Sequence, residues 1–407
     1  MSVQVLDGGL DVVNFGCRLN IAEGEAVRAA ATAAGAKDAI VFNSCAVTDE
    51  AVRQARQAVR RALRERPGAA VVVTGCAAEL EREAFAAMGA RVVGNDVKGL
   101  AASYGTGAPA VRSDIYSPAL SGAEHARAFL GVQTGCSHSC TFCATVIARG
   151  TARSATVDAA LDSARVALER GQREIVLTGV DLASYGDDSG TTLAALVEAL
   201  LALPIERLRL SSLDPNRIDD GLFALLTGEA RVMPHVHLSL QAGDDMVLTR
   251  MKRRHRRAEV VDLVARLKAA RAEIAIGADL IAGFPTEDDA MFANSLALID
   301  DCDIVFGHIF PYSARAGTPA ARMPQVGRTV ARTRAATLRE ANARRRHLWM
   351  DEQVGKRTNM LVERDGLTGH GENFAGLMLD RPVAPGSIVA VRIGARDGER
   401  LAAEIAA

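Results

Sequence analysis

The sequence predicts an α/β protein with an N-terminal open parallel α/β domain, a partial or complete β/α barrel, and a small C-terminal all-β barrel. Three observations predict this architecture. Short apolar runs alternate with helical segments near the N-terminus, and a longer series of the same alternation follows. Over roughly the last 55 residues, the pattern changes to short strand-like runs separated by glycine-containing turns.

The first part is predicted from four β-branched runs and the helical segments that follow them. The runs are residues 11–15, 39–43, 70–74 and 90–94, and the clearest helices are Asn20–Ala34 and Asp49–Arg66. Strands that alternate with helices indicate a parallel sheet with helices on its faces. Proline and small residues indicate a linker near 104–125, so we assign the first domain to residues 1–120.

The second part, assigned to residues 121–350, contains six strand candidates separated by helical segments. The strands are predicted at 128–133, 174–179, 207–212, 235–241, 275–283 and 304–310, and the helices at 156–170, 192–203, 215–227, 258–272 and 287–300. Six such units favour a partial or complete β/α barrel. A long helix over about Thr329–Met350 ends this part, and the third domain, residues 351–407, has DG, GHGEN and APG turns.

Composition excludes several classes of protein. Hydrophobic residues make up 49% of the chain and charged residues 24%, as in ordinary globular proteins. The longest apolar runs reach only about half the length of a ~20-residue membrane span, which excludes a membrane protein. The N-terminus has no basic region before an apolar stretch, so we expect a cytoplasmic location. The net charge of −1 indicates no partner.

Three of the seven cysteines lie within eight residues, in Gly135-Cys136-Ser-His-Ser-Cys140-Thr-Phe-Cys143. This segment follows the first predicted barrel strand, at the end of the sheet where β/α barrels carry their chemistry. A structural zinc site normally has four protein ligands. Three thiolates instead leave one iron of a four-iron cluster open to a small molecule. Chance clustering of buried cysteines is the third interpretation.

Three further cysteines follow successive strand candidates of the first domain. Cys17, Cys45 and Cys76 are spaced 28 and 31 residues apart, about one strand–helix unit each. Because neighbouring strands lie about 4.8 Å apart, these thiols can converge at one edge of the sheet. The alternative is three separate cysteines of the core. Repetition at the same structural position favours a shared ligand, whereas Cys302 stands alone and is interpreted as a core residue.

The Cys-x₃-Cys-x₂-Cys spacing of Cys136, Cys140 and Cys143 resembles the signature of the radical SAM enzymes. In that superfamily, the amino and carboxylate groups of S-adenosylmethionine (SAM) chelate the open iron of a [4Fe-4S] cluster, and one electron cleaves SAM to the 5′-deoxyadenosyl radical. Such a radical attacks exposed C–H bonds, so the barrel mouth must be dry and enclosed. The resemblance therefore implies a radical SAM core over residues 121–350.

Three further motifs indicate one family within this superfamily. NFGCRLN, VFNSCAVT and VVTGC resemble the N-terminal domain of the methylthiotransferases. Those enzymes hold a second [4Fe-4S] cluster on three such cysteines and use it to supply sulfur. The GHG and ENFAGLMLD segments resemble a TRAM domain, which implies RNA binding by residues 351–407. The family resemblance implies that one SAM methylates a sulfur at the first-domain cluster and a second SAM is cleaved at the barrel cluster.

Known methylthiotransferases modify threonylcarbamoyladenosine or isopentenyladenosine in tRNA, or an aspartate of a ribosomal protein. GCRLN, LTGVDLASYG, RLSSLDP and HLSLQAGDDMVLTRMKRRH look most like the threonylcarbamoyladenosine type. This implies methylthio insertion at carbon 2 of that nucleoside at position 37. The implied partners are tRNA and a one-electron donor such as a flavodoxin or ferredoxin, with no membrane and no DNA. After Cys143, ATVIARG departs from the Ile-Pro step that is usual in the family.

Two rival functions stay open. One is a sister methylthiotransferase that acts on isopentenyladenosine or on the ribosomal aspartate. The other is not an enzyme but an RNA-interaction module that contains structural zinc. The sequence has no GxGxxG or P-loop pattern, so no dinucleotide site or NTP hydrolysis is predicted.

The radical SAM resemblance also implies residues that contact SAM. These are Phe142 beside the adenine, Gly179 near the methionine part, Ser239 and Gln241 near the ribose, and Asp279 and Gly283 in the fifth-strand segment. For the positions along the barrel strands, the alternative is ordinary packing or turn formation.

Basic residues supply candidates for contacts with tRNA phosphates. A dense run comprises Lys252, Arg253, Arg254, Arg256 and Arg257. Arg149 follows the cluster loop and is a candidate for binding SAM or substrate. A charge run is more often a solvated face, and a loop arginine is more often simply solvated. The eight histidines show no paired metal-binding spacing, and His138 is interpreted as a spacer in the cluster loop.

Overall fold

The computed structural model describes residues 9–46, 48–105, 110–111 and 115–406. It confirms the predicted α/β class, with a parallel N-terminal sheet and a small closed barrel at the C-terminus. Some parts of the sequence analysis lie outside these ranges. They are residues 1–8, on which the prediction against secretion rests, Val47 of the VFNSCAVT motif, and part of the predicted linker. Within the described ranges, none of the helices has the length and apolar character needed to span a membrane.

Four parallel strands form the N-terminal sheet in the order β1-β2-β3-β4. The strands are β1 (Leu10–Asn14), β2 (Ala39–Ser44), β3 (Ala70–Gly75) and β4 (Arg91–Val92), and the helices are α1 (Arg18–Ala33), α2 (Asp49–Glu65), α3 (Cys76–Leu80) and α4 (Arg82–Ala87). Helix α2 starts where its sequence predicts, because Thr48 Oγ1 accepts from the Ala51 N–H at 3.1 Å. Strand β4 is shorter than predicted.

The second part is a partial β/α barrel. Its strands are β5 (Ala119–Leu120), β6 (Arg127–Gly131), β7 (Gln133–Thr134), β8 (Arg153–Ser154), β9 (Glu174–Thr178), β10 (Arg207–Leu210), β11 (His235–Gln241), β12 (Ala275–Ala282) and β13 (Ile304–Pro311). Its helices are α5 (Thr145–Arg149), α6 (Val157–Glu169), α7 (Leu193–Leu201), α8 (Asp220–Gly228), α9 (Asp245–Met251), α10 (Arg257–Ala270), α11 (Asp289–Asp301) and α12 (Arg328–Gln353). Sheets β10-β9-β6-β5 and β11-β12-β13 join through a parallel bridge between Leu213 and Leu238.

The six parallel strands β6, β9, β10, β11, β12 and β13 therefore form one arc with two faces. Residues alternate between the faces along each strand. Leu238, Ile276 and Ile309 belong to the outer core beneath the helices. The intervening residues of these strands face inward, into a concavity that we call the chamber.

Helix α1 of the first domain occupies part of the chamber. Ala22 of α1 packs against Phe129 of β6 and Val176 of β9. A Cβ at Gly131 would lie 2.8 Å from a methyl carbon of Leu19, so this contact needs a residue without a side chain. The first domain thus closes one side of the barrel with helix α1.

The C-terminal part is a closed barrel in the order β14-β15-β16-β18-β17. Its strands are β14 (Arg357–Val362), β15 (Thr368–His370), β16 (Gly376–Leu379), β17 (Ile388–Asp397) and β18 (Arg400–Ile405). Trp349 of α12 packs into its core with Met360 and Leu401. Helix α12 therefore fixes this barrel to the larger one.

Phe374, in the turn between β15 and β16, reaches the amino end of the large barrel. Its ring centroid lies 4.9 Å from the Arg209 guanidinium carbon and 4.9 Å from the His235 ring. The guanidinium carbons of Arg18 and Arg127 each lie 5.6 Å from the same centroid. One aromatic ring from the third domain therefore forms the floor of the chamber.

Candidate active site

Cys17, Cys45 and Cys76, which we call the sheet trio, follow the carboxyl ends of β1, β2 and β3. A Cβ at Gly16 would lie 2.4 Å from Cys45 Sγ, so the turn that carries Cys17 touches Cys45. The φ of Gly16 is +85°, a conformation that favours glycine. The three cysteines therefore lie at one edge of the first sheet, as the regular spacing predicts.

Cys136, Cys140 and Cys143, which we call the loop trio, lie between β7 and α5. The loop closes on itself, because the Cys136 N–H donates to Gly150 O at 3.1 Å and the Cys143 N–H donates to Cys140 O at 3.3 Å. A Cβ at Gly135 would lie 2.0 Å from Thr151 O, and the φ of Gly135 is +72°. Glycine is therefore required where the loop leaves the strand.

Helix α5 connects the two trios. It is formed by the segment that departs from the family pattern after Cys143, and it is five residues long. At its start, Thr145 Oγ1 lies 3.0 Å from Cys143 Sγ. At its end, Arg149 Nε donates to Cys76 Sγ at 3.1 Å. A five-residue helix rises about 7 Å along its axis, so the two trios lie on opposite ends of one short element.

Arg149 is buried between the first domain and the barrel. Its terminal nitrogens donate to both Glu23 oxygens at 2.8 and 3.0 Å, to Asn20 Oδ1 at 2.8 Å and to Thr134 Oγ1 at 3.1 Å. Burial lowers the pKa of Arg149, but Cys76 and Glu23 raise it well above its ordinary value. This position differs from the sequence prediction, because protein partners hold the guanidinium away from solvent.

Glu23 is shared between Arg149 and Lys98. Lys98 Nζ donates to Glu23 at 2.6 Å, and the Lys98 and Glu23 side chains are only 5% and 8% exposed. Burial alone raises the pKa of Glu23, but the charges of Arg149 and Lys98 lower it to about 2. One buried anion thus faces two buried cations, which leaves positive charge beside Cys76.

Arg253 has the corresponding position at the loop trio. It lies 3.6 Å from Cys140 Sγ and donates to Asp214 at 2.8 Å and to Ser239 O at 2.7 Å. Burial raises the pKa of the Cys140 thiol, and Arg253 opposes that effect. The side chain is 7% exposed, so Arg253 packs against the loop trio and is not part of an exposed basic surface.

An acidic group lies at the other side of the loop trio. Asp181 is 3.6 Å from Cys136 Sγ and 3.1 Å from His138 Nε2. Burial and then Asp181 raise the pKa of Cys136 to about 12, so ligation by this thiolate requires a cation or cluster to displace its proton. His138 is buried and paired with Asp181, and is therefore more than a spacer.

The donor sets of both trios fit iron–sulfur clusters better than single zinc ions. Thiolates on one tetrahedral zinc ion at about 2.3 Å lie about 3.8 Å apart. Among the described residues, neither cysteine trio has all its sulfur atoms within 4.8 Å of one another. Sulfur ligands of a four-iron cluster are farther apart because they bind different irons. Three thiolates at each trio are therefore a donor set that suits a four-iron cluster, in which each thiolate binds a different iron.

The predicted SAM residues lie along the inner face and the rim of the barrel. A Cβ at Gly179 would lie 2.9 Å from Gln133 Oε1, which accepts from the Val180 and Asp181 N–H groups at 3.0 and 2.9 Å. Phe142 packs edge-on against Phe284 with ring centroids 6.3 Å apart. Packing accounts for both residues in this structure, and their SAM contacts stay predictions.

Ser239 and Gln241 lie near the carboxyl end of β11. Its pairing with β12 shifts register between Leu238 and Gln241, and Gln241 has a φ of +71°. This uncommon conformation redirects the strand end. Gly283 has a packing reason, because a Cβ there would lie 2.4 Å from Ala331 Cβ of α12. The SAM contacts of these residues also stay predictions.

The basic run divides between surface and interior. Lys252, Arg254 and Arg256 are exposed between α9 and α10. Arg257 forms an ion pair with Asp301 of α11. Three of the five basic residues of this run are therefore accessible to a large anionic partner, and Arg257 and Arg253 are engaged with protein groups.

Two histidines beside Asp279, on the inner face of the barrel, were not predicted from the sequence. Asp279, predicted to contact SAM, lies 3.1 Å from His237 Nε2 and 3.2 Å from His308 Nδ1. The two histidines are far apart in the sequence, so no spacing rule indicates them. Both histidines lie at inward-facing positions of β11 and β13, and these two strands flank the strand of Asp279. This alternation of inward and outward residues is the signal that could have indicated them.

Comparison with known proteins assigns the two larger parts of the chain to known families. Residues 10–94 match the family described as "Uncharacterized protein family UPF0004", and residues 130–299 match the "Radical SAM superfamily". A "Threonylcarbamoyladenosine tRNA methylthiotransferase MtaB" of Rickettsia prowazekii is 40% identical over 403 residues, covering 95% of this chain and 96% of the relative. Its namesake in Chlamydia pneumoniae is 32% identical and covers 100% of both chains.

Other relatives carry a different substrate in their names. The "tRNA-2-methylthio-N(6)-dimethylallyladenosine synthase" of Ruegeria pomeroyi is 31% identical, over 98% of this chain and 99% of the relative. Among solved structures, the radical SAM methyltransferase TsrM of Kitasatospora setae has a TM-score of 0.54 at 14% identity, covering 77% of this chain and 76% of that chain. The structural likeness supports the fold alone. The sequence identities show that this chain belongs to the radical SAM methylthiotransferase family, which confirms the resemblance of its motifs.

Proposed function

We propose that this enzyme inserts a methylthio group at carbon 2 of threonylcarbamoyladenosine at position 37 of tRNA. SAM serves both as methyl donor and as radical source, and each cysteine trio holds one [4Fe-4S] cluster. The motifs after Cys17 and along the barrel strands support this substrate, as do the names of the relatives at 40% and 32% identity.

The observation that carries the proposal is the contact of α5 with both trios. Replacing a C–H bond by a C–S bond requires the radical source and the sulfur donor to reach the same carbon atom. Thr145 touches Cys143 at one end of α5, and Arg149 touches Cys76 at the other. A single chamber can therefore serve both chemical tasks.

The loop trio would hold the radical SAM cluster and the sheet trio the auxiliary cluster. When bound, the first supplies the electron that cleaves SAM, and the second supplies the site that holds sulfur. Arg253 and Arg149 place positive charge on one sulfur of each trio. Helix α1 covers one side of the chamber and Phe374 covers its base, which would limit the access of water to a reactive radical.

The tRNA would meet the enzyme through exposed basic side chains and the C-terminal barrel. Lys252, Arg254 and Arg256 supply positive charge for phosphate contacts. The TRAM-like barrel would contribute contacts to unpaired nucleotides. The remaining partner is a one-electron donor such as a flavodoxin or ferredoxin, and a tRNA substrate implies a cytoplasmic location.

Mass spectrometry of tRNA nucleosides tests the reaction and the substrate together. Cells that lack this gene should lose 2-methylthio-threonylcarbamoyladenosine and accumulate threonylcarbamoyladenosine. The wild-type gene should restore the product, and a Cys45→Ala gene should not. Unchanged levels of the methylthiolated nucleoside in the deletion strain would contradict the proposal.

A second candidate is methylthiolation of isopentenyladenosine. It is favoured by the relative at 31% identity that is named for the dimethylallyl nucleoside. In the same experiment, this candidate predicts loss of the 2-methylthio derivative of that nucleoside instead. If both nucleosides are unchanged, the ribosomal-protein aspartate becomes the substrate to examine.

Cluster content is tested separately by anaerobic reconstitution and analysis of iron and sulfide. The proposal expects about eight irons and about eight sulfides for each chain. Zinc without sulfide would contradict the two-cluster assignment and revive the structural zinc interpretation.

A further inference from the structure

His237, Asp279 and His308, which we call the barrel triad, lie on the neighbouring strands β11, β12 and β13. His237 Nε2 and His308 Nδ1 lie 3.1 and 3.2 Å from the same oxygen, Asp279 Oδ1. The three ligand atoms lie within 4.8 Å of one another, the only such set among the described residues. The two imidazole rings are 4.5 Å apart at an angle of 38°.

These distances match those between ligand atoms of one metal ion. Nitrogen and oxygen ligands at about 2.1 Å from a divalent ion lie about 3.0 Å apart in octahedral geometry and about 3.4 Å apart in tetrahedral geometry. We propose that the barrel triad binds one divalent transition-metal ion. Two imidazoles and one carboxylate suit zinc, cobalt or ferrous iron and differ from the thiolate sets of the two cysteine trios.

A glycine on the neighbouring strand leaves space for the His237 ring. Gly277 lies opposite His237 in the register of β11 and β12. A Cβ at Gly277 would lie 2.3 Å from His237 Nδ1, so a larger residue would displace the ring. Ser212 Oγ donates to the second oxygen of Asp279 at 3.4 Å. Such an outer hydrogen bond orients a carboxylate ligand.

The triad is open on the side of the chamber. The His237 side chain is 6% exposed, whereas the His308 side chain is 59% exposed. Three protein ligands on one side leave coordination positions for water or for an oxygen ligand that enters the chamber. The resemblance to other radical SAM enzymes places Asp279 near SAM, but its two histidine partners point to a cation.

Cobalt binding to the reconstituted holoenzyme tests the proposal. With both cysteine trios filled and the clusters in their diamagnetic oxidised state, high-spin Co²⁺ is visible by electron paramagnetic resonance. The wild type should retain one additional Co²⁺ per chain after gel filtration, and Zn²⁺ should displace it. His308→Ala and Asp279→Asn should each lose this ion, and Ser212→Ala should bind it about tenfold more weakly.

His125→Ala is the matched control, because His125 is a partly exposed histidine that precedes β6 and pairs with Glu124, outside the barrel triad. It should bind Co²⁺ like the wild type. Circular dichroism and iron content identify any variant that fails to fold. The proposal is overturned if the folded wild type retains no additional Co²⁺ at a tenfold excess of metal, or if His308→Ala and Asp279→Asn both retain it.

Discussion

The sheet trio takes its cysteines from three separate strand–helix units, whereas the loop trio takes its cysteines from eight consecutive residues. The sheet trio therefore exists only when β1, β2 and β3 are paired, and Gly16 allows their turns to touch. The loop trio depends on one loop closed by the contact of Cys136 with Gly150. The packing of a domain brings the sheet trio together, whereas local chain geometry brings the loop trio together.

The electrostatic surroundings of the two trios differ as well. Each trio has one buried arginine at a sulfur, Arg149 at Cys76 and Arg253 at Cys140. Arg149 and Lys98 both pair with the carboxylate of Glu23, whereas Arg253 pairs with the carboxylate of Asp214. The loop trio also has an acidic neighbour at Cys136. More negative surroundings lower the reduction potential of an iron–sulfur cluster, which suits the cluster that must deliver an electron.

The largest expected effect is at the loop trio. Cys140→Ala should abolish both 5′-deoxyadenosine formation and methylthiolated product, because the proposed sulfur insertion needs the radical that SAM cleavage supplies. Chromatography of the SAM products and nucleoside analysis measure the two outcomes. Cys302→Ala is the control, since Cys302 is buried in the outer core of the barrel and should leave both activities intact. Cleavage by the Cys140 variant at the wild-type rate would refute the assignment of the loop trio.

At the sheet trio the two activities should separate. Cys45→Ala should retain 5′-deoxyadenosine formation within a few-fold, because the loop trio is unchanged, and should form no methylthiolated nucleoside. Iron content should fall from about eight to about four atoms per chain. A Cys45 variant that still produces the methylthiolated nucleoside would show that the sheet trio is not the sulfur donor.

Arg149 should matter for stability as well as for the sheet trio. Arg149→Met removes the main partner of buried Glu23, so we expect the free energy of unfolding to fall by about 3 kcal/mol, the low end for a broken buried pair because Lys98 remains. Urea denaturation measures the change. Arg28→Ala, which breaks an exposed pair with Glu25, should cost under about 0.5 kcal/mol. Equal costs for the two variants would contradict the role of Arg149.

The smallest effect is expected at the surface. Replacing Lys252, Arg254 and Arg256 together by alanine should weaken tRNA binding and lower the salt dependence of log K by roughly 2 to 3. SAM cleavage without tRNA should be unchanged. Filter binding across a range of salt concentrations measures the slope. Arg165→Ala on α6 should leave the slope unaltered, and an unaltered slope in the triple variant as well would exclude the run from the interface.

Local patterns in the sequence account for most of the fold. Strand β11 has the predicted limits 235–241, because its apolar and polar residues alternate regularly. Helix α2 begins at its predicted residue because Thr48 and the acidic first turn signal it. Helix α5 was not predicted, since five residues carry too little periodicity.

The candidate site was predictable only where residues that are close in space are also close or regular in the sequence. The cysteines met that condition. Glu23 and Lys98 did not, because a charged residue in an amphipathic pattern resembles a solvated one until its partner is known. The barrel triad depends on the relative register of three strands, which no single segment specifies.

Phe374 has a φ of +71°, a conformation that is costly for an aromatic residue. Contacts of the Phe374 ring stabilise this conformation, because the ring stacks on His370 and packs against Arg209 and His235. Through this ring, the third domain closes the base of the chamber. Any displacement of the third domain would withdraw this ring from the guanidinium groups of Arg18, Arg127 and Arg209, so the position of a small C-terminal domain decides whether solvent reaches the base of the large barrel.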